Sequence, residues 1–129
     1  MTGNGTLPIR VLYVEDDKSL QLTISQMFTI LGYKVVCADN GQAGIEKAAS
    51  WQPDIILMDV RMPLMNGDEA VRLLRGRPDT KDIPIFMISA YSDAKTRDQC
   101  KNAGATRFFT KPIDVRKIDV VIKETLKRT

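Results

Sequence analysis

The chain has 129 residues, enough for one domain with a single core, and its 43% hydrophobic and 27% charged residues are typical of a soluble globular protein. It contains no histidine, which excludes histidine-based zinc sites and catalytic triads that need an imidazole base. The two cysteines, Cys37 and Cys100, lack metal-ligand spacing, so we expect two reduced thiols in a cytoplasmic protein.

The apolar runs are too short to span a membrane, and the first ten residues lack the apolar segment of a signal peptide. We therefore expect no membrane partner, a flexible lead-in at residues 1–7 and one domain at residues 8–129. The net charge of +3 is concentrated in residues 107–129, which hold seven Lys/Arg and three Asp/Glu. Because acids are interleaved with these bases, we interpret them as a solvated helix face and expect no direct DNA binding.

Five short apolar runs, rich in residues that favour strands, alternate with helical patterns along the chain. Their apolar residues are consecutive rather than alternating, as in strands buried on both faces of a parallel sheet. We predict an α/β fold, (βα)5, with a doubly wound five-stranded parallel sheet, right-handed crossovers and helices on both faces. The five predicted strands are Ile9–Val14, Lys34–Ala38, Ile55–Met58, Ile85–Ile88 and Arg107–Phe109.

Capping residues mark the helices between these strands. Residues 20–31 carry apolar side chains at helical spacing, which predicts the first helix. Gly32 follows them and suits a C-terminal cap, and we expect Asp17 to cap the start of this helix. Asp68 and Glu69 fall in the first turn of the third predicted helix, where the helix dipole favours anions. The predicted N-caps of the second to fifth helices are Asn40, Asn66, Ser92 and Asp114.

Polar side chains follow four of the strands, at the edge where a parallel α/β sheet binds its ligands. Glu15 and Asp16 follow the first strand, Asp59 the third, Ser89 the fourth and Lys111 the fifth. Three acids in one partly desolvated pocket repel one another, so such a cluster is stable mainly around a cation. Oxygen ligands without histidine or cysteine indicate Mg²⁺ rather than zinc.

The same residues suit phosphoryl transfer, in which positioning and charge neutralisation dominate. Ser89 can donate a hydrogen bond to a phosphate oxygen, and Lys111 can pair with another as a point charge. Since no other nucleophile is evident, Asp59 is the natural acceptor and would form an acyl phosphate.

In this order and on these elements, the residues resemble the receiver domain of two-component response regulators, from about Ile9 to the end of the chain. The motifs that match are the acidic pair Glu15-Asp16, the segment "DVRMPLMNG" at 59–67, Ser89-Ala90 and Lys111-Pro112. The resemblance implies a flavodoxin-like sheet with strand order 2-1-3-4-5.

The resemblance also implies roles for the residues around the acceptor. Asp59 would accept the phosphoryl group from a sensor histidine kinase or a histidine phosphotransfer protein. Asp16 and Asp59 would bind Mg²⁺ directly, together with the backbone carbonyl of Arg61, and Glu15 would act through a water molecule. Glu15 stands where Asp is commoner in the family, and this departure removes no required chemical group.

Two further roles concern the phosphorylated state. Ser89 and Lys111 would hold the phosphoryl group, with Lys111 preceding the cis peptide bond that is frequent in the family. Phe108 matches the aromatic switch position, although an aromatic residue on the last strand is equally compatible with a plain core role. Arg61 and Tyr91 occupy the two positions that influence acyl phosphate hydrolysis in the family, and we predict that these large side chains lengthen its lifetime.

The resulting hypothesis is that the chain is a phosphorylation-dependent signalling switch and not an enzyme. Such a switch promotes only its own phosphorylation and dephosphorylation. Its downstream effector would bind the last two helices and the last strand, and the chain would be a monomer or a phosphorylation-dependent dimer. Three alternative hypotheses remain. The first is that the chain is a module of a larger hybrid kinase or multidomain regulator. The second is a flavodoxin-like redox carrier, which the acids of "VEDDKS" disfavour because they would repel FMN phosphate. The third is a haloacid-type phosphatase, which needs a second Asp at the position that Arg61 occupies.

Overall fold

The computed structural model describes residues 7–128, so the predicted lead-in at residues 1–7 lies outside the described residues except for Leu7. Within them the chain forms five strands and five helices in strict alternation. The elements are β1 (Arg10–Val14), α1 (Lys18–Ile30), β2 (Lys34–Ala38), α2 (Gly41–Trp51), β3 (Ile55–Asp59), α3 (Gly67–Arg75), β4 (Ile85–Ser89), α4 (Ala94–Ala103), β5 (Arg107–Thr110) and α5 (Val115–Leu126).

The five strands form one parallel sheet in the order β2-β1-β3-β4-β5, which confirms the predicted (βα)5 architecture. One face packs against α1 and α5 and the other against α2, α3 and α4, so the sheet is covered on both sides. Strand order reverses between β1 and β3. The carboxyl ends of these two strands therefore flank the crevice in which open α/β sheets bind ligands.

The central strands explain why the apolar runs are consecutive. Every residue of β3 and β4 is buried, because neighbouring side chains enter the apolar layers on opposite faces of the sheet. Both strands are one residue longer than predicted, and the added residues are the polar Asp59 and Ser89. These two side chains are thus held by the rigid end of a strand rather than by a loop. The free thiols Cys37 and Cys100 confirm the expectation for cysteine.

Most of the predicted caps are confirmed. The Asp17 carboxylate accepts hydrogen bonds from the N–H groups of Ser19 and Leu20, and the Asn40 and Asp114 side chains accept one each at the starts of α2 and α5. Gly32 follows the last residues of α1 with φ +98°, a left-handed conformation that glycine adopts without steric cost.

Two capping predictions need correction. Ser92 is not the N-cap of α4, because the helix begins one residue later than expected. The carboxylate of Asp93 caps it instead, accepting from the N–H of Thr96 at 3.2 Å and from its hydroxyl at 2.9 Å. Asn66 does hold the N-cap position of α3, but its side chain makes no capping hydrogen bond.

No helix between residues 7 and 128 combines the length and apolar character needed to cross a membrane.

Candidate functional site

The predicted site residues lie at or near the carboxyl ends of β1, β3, β4 and β5. Val14 pairs with Met58 in the sheet register, so the residues that follow them, Glu15 and Asp59, are neighbours across the two central strands. The wholly buried run Ile55–Met58 fixes the backbone beneath Asp59, whose own side chain is largely buried, with 6% of the residue exposed. The sequence places this carboxylate at the tip of a rigid strand.

Three carboxylates meet at this edge. Ligand oxygens from Glu15, Asp16 and Asp59 all lie within 4.8 Å of one another. Glu15 and Asp59 are buried and Asp16 is exposed, so the cluster opens to solvent on the Asp16 side. Partial desolvation of the carboxylate, and then its interaction with the Glu15 side chain, raises the pKa of Asp16 above its ordinary value. The predicted convergence of the three acids is observed, and such a set of hard oxygen donors could hold a metal ion and fits the chemistry of Mg²⁺.

The ammonium group of Lys111 bridges two of these carboxylates. Its Nζ lies 3.1 Å from Glu15 Oε1 and 3.2 Å from Asp59 Oδ2. Burial lowers the pKa of Lys111, but the charges of Asp59 and Glu15 outweigh it and leave the pKa above its ordinary value. Lys111 therefore remains a cation beside the Asp59 carboxylate.

The backbone aims Lys111 at the site. Its N–H donates to the carbonyl of Ser89 at 2.7 Å, which extends the pairing of β5 with β4 by one residue. The peptide bond between Lys111 and Pro112 is cis.

Among the described residues, the side chains of Ser89 and Phe108 make no hydrogen bond to the acidic cluster. Ser89 is fully buried, and its Oγ accepts the N–H of Tyr91 at 3.0 Å. Phe108 is half-buried against the core that α2, α3 and α4 cover, and the guanidinium carbon of Arg97 lies 4.7 Å from its ring centroid. The packing role of Phe108 is thus visible, and its switch role stays a prediction. Arg97 was not foreseen, because nothing in the spacing of residues 97 and 108 indicates that they touch.

Arg61 and Tyr91 meet above the site. The guanidinium carbon of Arg61 lies 4.9 Å from the centroid of the Tyr91 ring, which is cation–π distance, and 56% of Tyr91 is exposed. The two residues come two positions after Asp59 and two positions after Ser89, so the contact bridges the loops that leave β3 and β4. Their predicted effect on acyl phosphate lifetime stays a prediction.

Gly67, the last residue of the "DVRMPLMNG" segment, packs closely against the end of β3. Its N–H donates to the carbonyl of Val60 at 2.7 Å, so the loop after β3 folds back against the strand end. A Cβ atom at Gly67 would lie 2.4 Å from the backbone oxygen of Asp59 and 2.7 Å from Met87 Cε. The position therefore requires glycine for close approach to the backbone of Asp59.

One contact at the site was missed by reasoning from the sequence. The hydroxyl of Tyr13 lies 3.3 Å from Glu15 Oε1, below the acidic cluster. Tyr13 was interpreted as part of an apolar strand. The available signal was its position two residues before Glu15, since side chains two apart on a strand share a face.

Comparison with known proteins gives consistent matches over most of the chain. A family model described as "Response regulator receiver domain" matches residues 11–123. The regulatory protein AtoC of Escherichia coli (strain K12) is 30% identical over 118 residues, which are 92% of this chain and 25% of AtoC. The response regulator MprA of Mycolicibacterium vanbaalenii is 31% identical, and the match covers 95% of this chain and 52% of MprA. The chain therefore spans about half or less of the length of these two curated relatives.

Solved structures match over the full length of a single domain. The chemotaxis protein CheY4 of Vibrio cholerae is 29% identical with a TM-score of 0.86, and the match covers 92% of this chain and 98% of CheY4. The receiver domain of the sensor histidine kinase PA1611 of Pseudomonas aeruginosa PAO1 is 28% identical with a TM-score of 0.85, covering 92% and 97% of the two chains. That domain was solved with a magnesium ion coordinated in its active site cleft.

Proposed function

The chain belongs to the response regulator receiver domain family, and from this premise we propose that it is a signalling switch phosphorylated on Asp59. The phosphoryl donor is a sensor histidine kinase or a histidine phosphotransfer protein. The observation that carries the proposal is the bridging position of Lys111, within 3.2 Å of both Glu15 and Asp59 at the mouth of an acidic cluster.

In the reaction, an oxygen of the Asp59 carboxylate attacks the phosphorus of a phosphohistidine. A P–O bond forms, the P–N bond breaks, and the imidazole of the donor leaves. Lys111 is already a cation next to the attacking carboxylate of Asp59, so it can pair with a phosphoryl oxygen without gaining a proton. Ser89 can donate its O–H to a second oxygen, because its Oγ acts only as the acceptor in the hydrogen bond from the N–H of Tyr91.

The acidic cluster would hold the metal that this chemistry uses. Asp16, Asp59 and the backbone carbonyl of Arg61 would bind Mg²⁺ directly, and Glu15 would act through a water molecule. When bound, Mg²⁺ supplies positive charge that offsets the charge of the phosphoryl oxygens. The support is the convergence of three carboxylates, one of them open to solvent.

The output is a change in affinity for a downstream partner. Movement of Ser89 towards the phosphoryl group leaves space that Phe108 can repack into, and the surface formed by α4, β5 and α5 shifts population accordingly. The switch acts in the cytoplasm, as a monomer or as a phosphorylation-dependent dimer. Within this account the domain catalyses only its own phosphorylation and dephosphorylation.

A second candidate concerns the protein in which the domain works. The curated relatives are longer than the chain, which supports the alternative that this domain is one module of a larger regulator or hybrid kinase. In that case the partner of the α4–β5–α5 surface is a neighbouring domain of the same protein. The phosphoacceptor chemistry of Asp59 is the same in both cases.

The proposal is tested by binding of beryllofluoride, an analogue of the phosphoryl group, followed by ¹⁹F NMR. We expect a bound signal for the wild-type chain when Mg²⁺ is present, and loss of that signal in Asp59→Asn or after chelation of the metal. Asp54→Asn is a matched control. Asp54 directly precedes β3, at the end of the strand away from the site, and its carboxylate accepts a hydrogen bond from the N–H of Arg10. This variant should leave the signal intact. Equal binding by wild type and Asp59→Asn would reject Asp59 as the acceptor.

A further inference from the structure

The phenol of Tyr13 is buried directly beneath the acidic cluster. Tyr13 is 1% exposed and lies in the apolar layer between the sheet and helices α1 and α5. Its hydroxyl makes one side-chain hydrogen bond among the described residues, to Glu15 Oε1 at 3.3 Å. A hydroxyl in such a layer costs free energy unless it is paired, so this contact fixes where the Glu15 carboxylate can lie.

Glu15 is itself 1% exposed and obtains its stabilisation from three donors. The Tyr13 hydroxyl and the Lys111 ammonium both approach Oε1, and the N–H of Asp17 lies 3.2 Å from Oε2. Lys111 has a second partner, because its Nζ also lies 3.2 Å from Asp59. The buried charge of Glu15 and the acceptor carboxylate therefore compete for a single ammonium group.

We infer that Tyr13 is a positioning residue of this site: its hydroxyl supports the buried charge of Glu15, which leaves Lys111 available to Asp59 and to a phosphoryl group bound there. The inference rests on the proposed function, because it assigns Tyr13 a part in the same phosphoacceptor reaction. Without the hydroxyl, Glu15 keeps two donors and attracts Lys111 more strongly. Lys111 must then be withdrawn from a tighter ion pair before it can bind phosphoryl oxygens.

The chemistry of the phenol suits this role. A phenol has an ordinary pKa of about 10, so near neutral pH the hydroxyl carries its proton and donates to Glu15. A phenol on the strand also reaches Glu15 without taking a position in the cluster itself. The donor thus stabilises the Glu15 carboxylate without blocking the buried Asp59 or the exposed Asp16.

The test compares two binding constants of the Tyr13→Phe variant, which lacks a single oxygen atom. We expect beryllofluoride affinity in saturating Mg²⁺, and the rate of phosphorylation by acetyl phosphate, to fall about tenfold, the factor expected for a hydrogen bond to a charged group. The affinity for Mg²⁺ alone, measured by calorimetry, should change by less than about twofold because Asp16 and Asp59 are retained. A purely structural role for Tyr13 would lower both affinities together.

A matched control is available in the same apolar layer. Tyr33 is also buried, and its hydroxyl donates to Asp119 on α5, at the opposite end of the sheet from the site. Tyr33→Phe should lower the melting temperature about as much as Tyr13→Phe and leave beryllofluoride affinity unchanged. Tyr13→Leu, which also lacks the hydroxyl, is measured in the same way if Tyr13→Phe does not fold.

A double-variant cycle with Glu15→Gln tests the mechanism itself. A neutral amide no longer competes for Lys111, so Tyr13→Phe should have little effect on beryllofluoride affinity in the Glu15→Gln background. The inference is overturned if Tyr13→Phe binds beryllofluoride as tightly as wild type, if Mg²⁺ affinity falls in parallel, or if the effect persists without the Glu15 charge. Absence of beryllofluoride binding by the wild-type chain would reject the proposed function as well, so the two failures are distinguishable.

Discussion

Gly67→Ala should lower the stability of the domain and displace Asp59. The added Cβ would lie 2.4 Å from the backbone oxygen of Asp59, 2.7 Å from Met87 Cε and 3.1 Å from the Cα of Val60. The methyl end of Met87 can move, but the oxygen belongs to the fully buried strand β3. The start of α3 and the end of β3 must therefore separate by about 1 Å to reach ordinary contact distance.

Overpacking of this kind costs about 2–3 kcal/mol, and for a domain of this size that corresponds to a melting temperature about 8–12 °C lower. A displacement of about 1 Å at a reacting group also reduces rates on the order of a hundredfold. We therefore expect Gly67→Ala to melt at a lower temperature by circular dichroism and to accept phosphate from acetyl phosphate far more slowly than wild type.

Gly76→Ala is the matched control. Gly76 has φ −84°, and a Cβ there would lie 3.6 Å from its two nearest atoms, the carbonyl oxygens of Arg72 and Leu73. Its effect should stay within about 0.5 kcal/mol. The close-approach explanation is refuted if Gly67→Ala melts at the same temperature as wild type and Gly76→Ala, or if it is phosphorylated at the wild-type rate.

Two further predictions concern the lifetime of the acyl phosphate and the response to alkali. The double variant Arg61→Asn/Tyr91→Ala should lose phosphate about fivefold faster than wild type. The substitutions remove a stacked pair worth about 1 kcal/mol and open Asp59 to water. Unchanged decay of ³²P-labelled protein would contradict this prediction. Burial raises the pKa of Tyr13 and Tyr33, and it raises that of Cys100 to about 11. As the pH rises, the unfolded chain therefore releases these protons before the folded chain does. The free energy of unfolding should fall as the pH rises above about 9. Thermal melts from about pH 8 to about pH 11 would measure this, and a constant melting temperature would be inconsistent with it.

The fold and the acidic edge follow from the sequence because both depend on local patterns. Consecutive apolar runs indicated a doubly covered parallel sheet, and β3 and β4 are buried throughout. Reading the residue after each strand then indicated which side chains share an edge, and the structure brings Glu15, Asp16, Asp59 and Lys111 together.

The features that escaped prediction depend on distances between elements or on a choice between neighbours. Ser92 and Asp93 are both good capping residues, and only the backbone path into α4 decides that the Asp93 carboxylate takes this position. Arg97 stacks on Phe108 because α4 and β5 approach each other, which spacing along the chain does not reveal. Tyr13 was hidden because a tyrosine in an apolar strand is usually read as core, and it is indeed buried.

The central claim is that Asp59 accepts a phosphoryl group, and the most direct measurement is the mass of the chain after incubation with acetyl phosphate and Mg²⁺. We expect an increase by the mass of one phosphoryl group, located on Asp59 by borohydride reduction and peptide mapping, which disappears in Asp59→Asn and on removal of Mg²⁺. An unmodified mass, or phosphate mapped to any residue other than Asp59, would contradict the account.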